Sequence, residues 1–201
     1  MAKRDSKTGS AAADRALIEQ WLSSAKKGDI GAYRQIYEAF ARKVLNFIYR
    51  MVDSVEEAED LTQETFVTVY QKLSTLKDDS KFEPWLFRIA RNYVYQRYRS
   101  RPPASVSIDE IDGEGQAVTE LADDRKNPDE AFLARELGGV VQQVVNALPE
   151  KYREVFVLSA IQHRSYQEIA EIVGRSLPSV KTDIHRARLE VRKKVKDYLK
   201  A

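Results

Sequence analysis

Ser165-Tyr-Gln-Glu-Ile-Ala-Glu-Ile-Val-Gly174, followed by Arg175-Ser-Leu-Pro-Ser-Val-Lys-Thr-Asp-Ile-His-Arg-Ala-Arg188, reads as a helix, a tight turn and a second helix. Ser165 is a helix cap, and Glu168, three residues on, completes a capping box. Ile169, Ala170, Ile172 and Val173 give the first helix a buried stripe, with Ala170 small where a second helix must approach closely. Gly174 stands where the chain turns with positive φ, the conformation glycine tolerates best. Ser176 caps the second helix and Pro178 is accommodated in its first turn. Val180, Ile184 and Ala187 then point inward at helical spacing, which leaves Ser179, Lys181, Thr182, His185, Arg186 and Arg188 on the outer side. This is the layout of a helix-turn-helix whose second helix enters a DNA major groove. An ordinary αα-hairpin with a charged solvent face has the same two-helix pattern, and charge separates the two. From Arg175 to Lys200 nine basic residues stand against three acidic ones. A surface helix with no polyanionic partner mixes its signs more evenly.

The rest of the chain is also helical. Leu17, Ile18, Trp21 and Leu22 form an apolar stripe that ends near Gly28. Ala32, Tyr33, Ile36, Tyr37 and Phe40 continue the pattern into Val44, Phe47, Ile48 and Met51. A third helix begins near Asp53-Ser54 and carries Ala58, Leu61, Phe66, Val69, Tyr70 and Leu73; a fourth runs from about Pro84 to Arg99. Strand-like alternation is nearly absent. The expected fold is all-α: one small four-helix unit over residues 14–100, after a loose tail at 1–13, and a second helical unit over 129–201. Between them, residues 101–128 hold Pro102, Pro103, Gly113, Gly115 and Pro128 and few apolar side chains. From Ala104 to Glu130 nine acids meet only Arg125 and Lys126. That composition reads as an extended acidic linker.

Bulk properties narrow the function classes. With 43% apolar and 32% charged residues over 201 positions, the chain has the balance of a water-soluble helical protein. The net charge of +2 averages segments of opposite sign and says little. There is no cysteine, hence no disulfide and no thiolate metal site. No stretch reaches membrane-span length and the first residues lead into no apolar signal core, so a cytoplasmic protein without membrane insertion is expected. Catalysis has little support: His163 and His185 are the only histidines, and HExxH, GxxxxGK[ST] and GxSxG are absent. No metal and no cofactor is expected. His163 reads as a surface or turn residue.

Two further constellations carry function. Lys81-Phe-Glu-Pro-Trp-Leu-Phe-Arg-Ile-Ala-Arg-Asn-Tyr-Val-Tyr-Gln-Arg-Tyr-Arg-Ser-Arg101 sets six basic residues against one acid and interleaves six aromatics. Cations neutralise phosphates, and aromatic or amide side chains hold bases taken out of the stack. Phe82, Trp85 and Phe87 read as core; Arg88, Arg91, Asn92, Gln96, Arg97 and Arg99 read as nucleic-acid contacts. The third helix has the opposite sign, with Asp53, Glu56, Glu57, Glu59, Asp60 and Glu64 before the first base, Lys72. Acids in a first turn favour the helix dipole, which accounts for Glu56 and Glu57. Asp60, Gln63, Glu64 and Val67 lie further down, at i, i+3, i+4 and i+7 on one face, and read as a docking edge for a basic protein partner.

Four motifs then occur in one order: Glu59-Asp-Leu-Thr-Gln-Glu-Thr-Phe66, Phe82-Glu-Pro-Trp-Leu-Phe-Arg-Ile-Ala-Arg-Asn92, Leu148-Pro-Glu-Lys-Tyr-Arg-Glu-Val-Phe156, and the helix-turn-helix ending His185-Arg-Ala-Arg188. With them the chain resembles a bacterial RNA polymerase sigma factor of the extracytoplasmic function (ECF) group, over residues 15–100 and 130–195. The resemblance implies a σ2 domain, a σ3.2-like linker and a σ4 domain. It implies that core RNA polymerase and promoter DNA are the partners, with a restraining anti-sigma factor. Asp60, Gln63 and Glu64 would meet the clamp helices of the polymerase β′ subunit, and the σ4 domain the β flap. The loop from Ser74 to Lys81, with Arg88, Arg91 and Asn92, would read the melted −10 element, Lys77, Asp79 and Asn92 falling where family members line a base pocket. Lys181, Thr182, His185 and Arg186 would read the −35 element. The linker would thread toward the RNA exit channel. The chain departs from the family pattern in carrying Pro178-Ser179-Val180 where glycine-threonine-valine is common, and Asp183 where a base is frequent.

Other classes remain open at the level of sequence. A stand-alone helix-turn-helix regulator with a ligand-sensing or dimerising N-terminal unit predicts no co-elution with core polymerase. A nuclease predicts metal-dependent cleavage, for which the chain offers no compact ligand cluster.

Overall fold

The computed structural model describes residues 5–100, 139 and 142–198. The linker at 101–128, and Phe132, Leu133, Leu137, Val140 and Val141 of the helical pattern after it, lie outside the described residues, as do residues 1–4 of the tail.

Every described element is helical. Helix α1 (Asp5–Lys26) reaches back into the stretch expected as tail. It turns through Gly28, at φ +93°, into α2 (Ile30–Val52), whose N-cap Asp29 accepts from the Ala32 amide at 3.1 Å. Asp53 ends α2 in the left-handed region, and Ser54 opens α3 (Val55–Lys72) by accepting from the Glu57 amide. Two short 3-10 turns, Leu73–Thr75 and Asp79–Lys81, lead into α4 (Phe82–Ser100). A helical segment at 142–146 ends before Pro149. Beyond it, α5 (Glu150–Phe156) loosens into a π-helical turn, Val157–Ile161, and His163 takes a left-handed turn at φ 53°. Helices α6 (Tyr166–Val173) and α7 (Leu177–Tyr198) complete the described residues.

The α1–α4 unit is built on phenylalanines. Phe40, Phe47, Phe82 and Phe87 are fully buried, and Phe40–Phe82 and Phe47–Phe87 meet edge to face at 5.3 and 5.6 Å between centroids. Trimming any one of them to alanine costs about 3–5 kcal/mol. Tyr33 and Tyr37 pin α2 to α3 through Tyr70 and Phe66. The Tyr33 hydroxyl donates to the Phe66 carbonyl at 2.5 Å, and burial, aided by Tyr37 and Tyr70, pushes its pKa up to about 12. Leu17, expected in the α1 stripe, faces solvent at 44% exposure, whereas Leu22 is fully buried. Tyr70, carried by α3 as expected, is 53% exposed and meets the Tyr33 ring edge to face at 4.9 Å.

The helix-turn-helix forms as its sequence dictates. Ser165 Oγ accepts from the Glu168 amide at 3.2 Å, and Glu168 returns a carboxylate oxygen to the Ser165 amide at 2.8 Å. Burial pushes the Glu168 carboxyl up, but the Ser165 side chain and amide and Arg164 outweigh it and hold the group below the ordinary glutamate value. Gly174 sits at φ +67°. Ile169, Ile172, Val180, Ile184 and Ala187 are buried between the helices.

The two units are packed against each other. Helix α4 lies along α6, and one apolar cluster runs from Leu22 and Phe47 through Phe87 and Val94 to Val155, Ile169 and Ile184.

Candidate functional site

Three faces of this scaffold carry the chemistry. The first is on α3. Asp60, Gln63 and Glu64 are exposed, and with Val67, Thr68, Gln71 and Tyr93 they line an open groove of about 360 Å³. Glu57, one turn earlier, is turned inward at 8% exposure and binds Arg97 at 2.6 Å. Helical spacing alone placed the first three residues together. Tyr93 of α4 joins them because its hydroxyl lies 2.6 Å from Thr68 Oγ, a contact that only packing of α3 on α4 creates.

The second face is on α4. Arg88, Asn92, Gln96 and Arg99 are exposed and fall at i, i+4, i+8 and i+11, a continuous polar stripe. Two other residues expected in this set are committed elsewhere. Arg97 points to α3 and Glu57. Arg91 is ion-paired with Glu154 of α5 and stacks its guanidinium on the Tyr95 ring at 4.4 Å. Lys77 is exposed, whereas Asp79 is held by Lys26 of α1, whose ammonium also reaches the Leu76 carbonyl at 2.6 Å. Lys26 thus fixes the loop before α4. Asp78 caps its second turn by accepting from the Ser80 hydroxyl and amide, which lower its pKa.

The third face is on α7. Lys181, Thr182, His185, Arg186 and Arg188 are exposed and Ser179 half-buried. Arg186 leans toward the Tyr152 hydroxyl at 3.5 Å, which raises its already high pKa and keeps it cationic. Asp183 is on the opposite side of the helix, 1% exposed. It accepts from Arg175 at 2.6 Å and pairs with Lys151 at 3.0 Å. Arg175 in turn reaches Glu154 at 3.3 Å. An alternating chain of charges, Arg91, Glu154, Arg175, Asp183 and Lys151, therefore runs from α4 through the helix-turn-helix. Burial is the main influence on Glu154 and raises its pKa, against the pull of Arg91 and Arg175. Sequence reasoning missed this chain. The available signal was Glu154 itself, which lies at i−4 from the buried Leu158 and so points inward.

Among the described residues, no group of histidine, cysteine, aspartate and glutamate is arranged to hold a metal ion, and no helix is long and apolar enough to cross a membrane.

A sigma-70 region 2 model matches residues 36–102 and a sigma-70 region 4 model residues 138–191. The ECF RNA polymerase sigma factor SigW of Bacillus subtilis is 36% identical over 183 residues, covering 90% of this chain and 98% of that protein. The chain belongs to the ECF group of RNA polymerase sigma factors. The ECF RNA polymerase sigma-E factor of Escherichia coli K12 is 32% identical over 195 residues, 93% of this chain and 96% of its own. Among solved structures, CnrH in complex with the cytosolic domain of CnrY superposes with a TM-score of 0.66 at 25% identity, covering 92% of this chain and 98% of that one. The sigma factor RpoE of Bartonella quintana, solved with the anti-sigma factor NepR, shares the fold at a TM-score of 0.62 and 21% identity, covering 83% and 98%. As an ECF sigma factor the protein is no enzyme: it binds core RNA polymerase and promoter DNA and directs promoter-specific initiation. The expectation of an all-α protein with region 2 and region 4 domains is met, and the stand-alone regulator and nuclease readings fall away.

Proposed function

We propose that the three faces divide the work of this sigma factor. The α3 groove of Asp60, Gln63, Glu64 and Val67 docks on the β′ clamp helices, and region 4 docks on the β flap. The α4 stripe of Arg88, Asn92, Gln96 and Arg99, with Lys77 at its approach, holds the unpaired −10 strand. Arg91, freed from Glu154, adds a cation to it. The outer face of α7, through Ser179, Lys181, Thr182, His185, Arg186 and Arg188, reads the −35 element in the major groove. The domains on this reading are residues 14–100 and 129–201, tethered by the acidic segment 101–128. The single observation that carries the proposal is the segregation of sign: one acidic groove and two basic faces, each exposed, on three different helices.

Each face has matching chemistry. An acidic edge around an apolar Val67 suits a basic helical partner. Amides and guanidiniums at one-turn spacing track a phosphate backbone and hydrogen-bond flipped bases. The loop before α4 is pinned by Lys26 and so keeps a fixed shape for a captured base. The solved complex of CnrH with the cytosolic domain of CnrY supports a further protein partner, an anti-sigma factor on this reading, and the polymerase-bound role supports a cytoplasmic location.

The test is transcription in vitro with purified core enzyme and a promoter library. Changing Asp60 and Glu64 together to Lys should lower core binding at least tenfold, with helicity by circular dichroism unchanged. Normal core binding by that variant would refute the docking face.

A further inference from the structure

Lys26 is the last residue of α1 and lies one turn beyond the fully buried Leu22, on the same face of the helix. Its ammonium donates to the Leu76 carbonyl at 2.6 Å, 50 positions along the chain, and ion-pairs with Asp79. The two side chains of the pair are 22% and 30% exposed, so salt screens the contact less than it would a fully solvated pair. The segment that Lys26 holds also has bonds of its own. The Leu76 amide donates to the Leu73 carbonyl at 3.1 Å, and the Lys81 amide to the Asp78 carbonyl at 3.0 Å. Asp78 accepts from the Ser80 hydroxyl at 2.7 Å. Each of these bonds closes within one 3-10 turn. Lys26 instead joins Leu76, which ends the first turn, to Asp79, which opens the second, and exposed Lys77 stands between the two points of attachment. Leu76 is itself buried, and with Pro84, Trp85 and exposed Arg88 of α4 it lines a cleft of about 290 Å³ that Lys81 and Glu171 also border.

We infer that Lys26, on a helix that carries none of the proposed DNA contacts, is a specificity-determining positioning residue for the −10 element: by clasping Leu76 and Asp79 it sets the wall against which an unpaired base is read. This role rests on the proposed −10 reading of the loop and α4. Two physical effects give the clasp its leverage. The first is geometry. A site discriminates between bases only when its groups are held close to the productive arrangement, and a loop stitched by local turns alone leaves the angle between those turns free. Lys26 fixes that angle, and with it the backbone of Lys77 and the Leu76 side of the cleft. The second is charge. Asp79 would meet an approaching phosphate backbone as a bare carboxylate, and the Lys26 ammonium offsets it. The pairing also explains why Asp79, expected to line the base pocket, turns to α1 instead: it carries the loop rather than touching the base. Lysine suits the task because one compact ammonium has three donors and can serve a carbonyl and a carboxylate together.

The test is transcription in vitro by the holoenzyme, formed from the full chain and core polymerase, on a promoter set in which each −10 position carries each base in turn. A second set varies the −35 element. K26M keeps the apolar stem and removes the ammonium. It should compress the ratio of output from preferred and disfavoured bases at one −10 position by about 3- to 10-fold, part of the discrimination a well-placed contact supplies. Ratios at −35 and affinity for core should stay as in the parent. K26M/D79N removes the bare carboxylate as well, so total output should recover while the ratio stays compressed, which separates position from charge. K26R keeps a cation with several donors and should hold the ratio closer to the parent than K26M does. A merely structural lysine gives another pattern: K26M lowers output from every promoter by the same factor, and all ratios survive. That result, or unchanged ratios in a K26M chain of parental helicity, would overturn the inference. Failure of the underlying −10 reading shows separately, as R88A with N92A leaving every −10 ratio unchanged. Should that variant shift the −10 ratios and K26M not, the clasp alone is refuted.

Discussion

Replacing Asp183 by asparagine should destabilise region 4 by about 2 kcal/mol and loosen the recognition helix. Asp183 is 1% exposed and is the inward anchor of α7. Its carboxylate receives Arg175 at 2.6 Å, a charge-assisted bond of about 1.5–3 kcal/mol. The second partner, Lys151, is 55% exposed and adds about 0–1 kcal/mol at most. The amide of asparagine retains one acceptor but removes the charge, and it points an N–H toward a cation. Arg175 keeps Glu154, so the cost stays below the ~3–5 kcal/mol of a fully orphaned buried charge. Urea unfolding followed at 222 nm should show a lower midpoint with an unchanged slope. Affinity for a −35 duplex should fall, since the face of α7 is set by what holds its back. K151A serves as the control and should cost less than about 1 kcal/mol. A D183N midpoint within ~0.5 kcal/mol of the parent would refute the claim that this buried pair fixes α7.

Other changes probe single features. Glu168→Ala removes half of the capping box and should cost about 1 kcal/mol, read by urea unfolding. Because the folded carboxyl titrates below its ordinary value of 4.5, its stabilisation is complete above that value and is lost as pH falls through the lowered one. The parent should therefore lose its stability advantage over Glu168→Gln only in that acid range. Gly174→Ala should cost about 1–2 kcal/mol from backbone strain at φ +67°, since nothing lies within 4 Å of the added Cβ; a neutral result in thermal unfolding would mean the turn relaxes. Arg186→Ala should weaken −35 binding by about 1–3 kcal/mol if the guanidinium pairs with a base edge, whereas an equal loss on every sequence in gel-shift titrations would mark a phosphate contact.

Local signals fixed most of the architecture in advance. The capping box at Ser165, the glycine at position 174 and the apolar spacing of Val180, Ile184 and Ala187 depend on neighbours within a turn or two, so they are legible from the chain alone. The same holds for the α3 edge, where Asp60, Gln63 and Glu64 share a face by periodicity, and for the stripe from Arg88 to Arg99. The exposure of Leu17 is not legible from periodicity, because an apolar residue at the margin of a stripe is inside or outside according to what packs over it.

What sequence could not decide was which charges meet. Arg88, Arg91 and Arg97 are alike in type and lie on one helix, yet one is exposed, one is bound to Glu154 and one to Glu57. Those pairings join residues 63 and 40 positions apart, and no periodic pattern encodes a contact at that separation. Helical periodicity is a property of the local backbone and was written in the order of residues. The occupancy of each cation is a property of the surfaces brought opposite it, and only the packing of α4 on α3, α5 and α6 decided that.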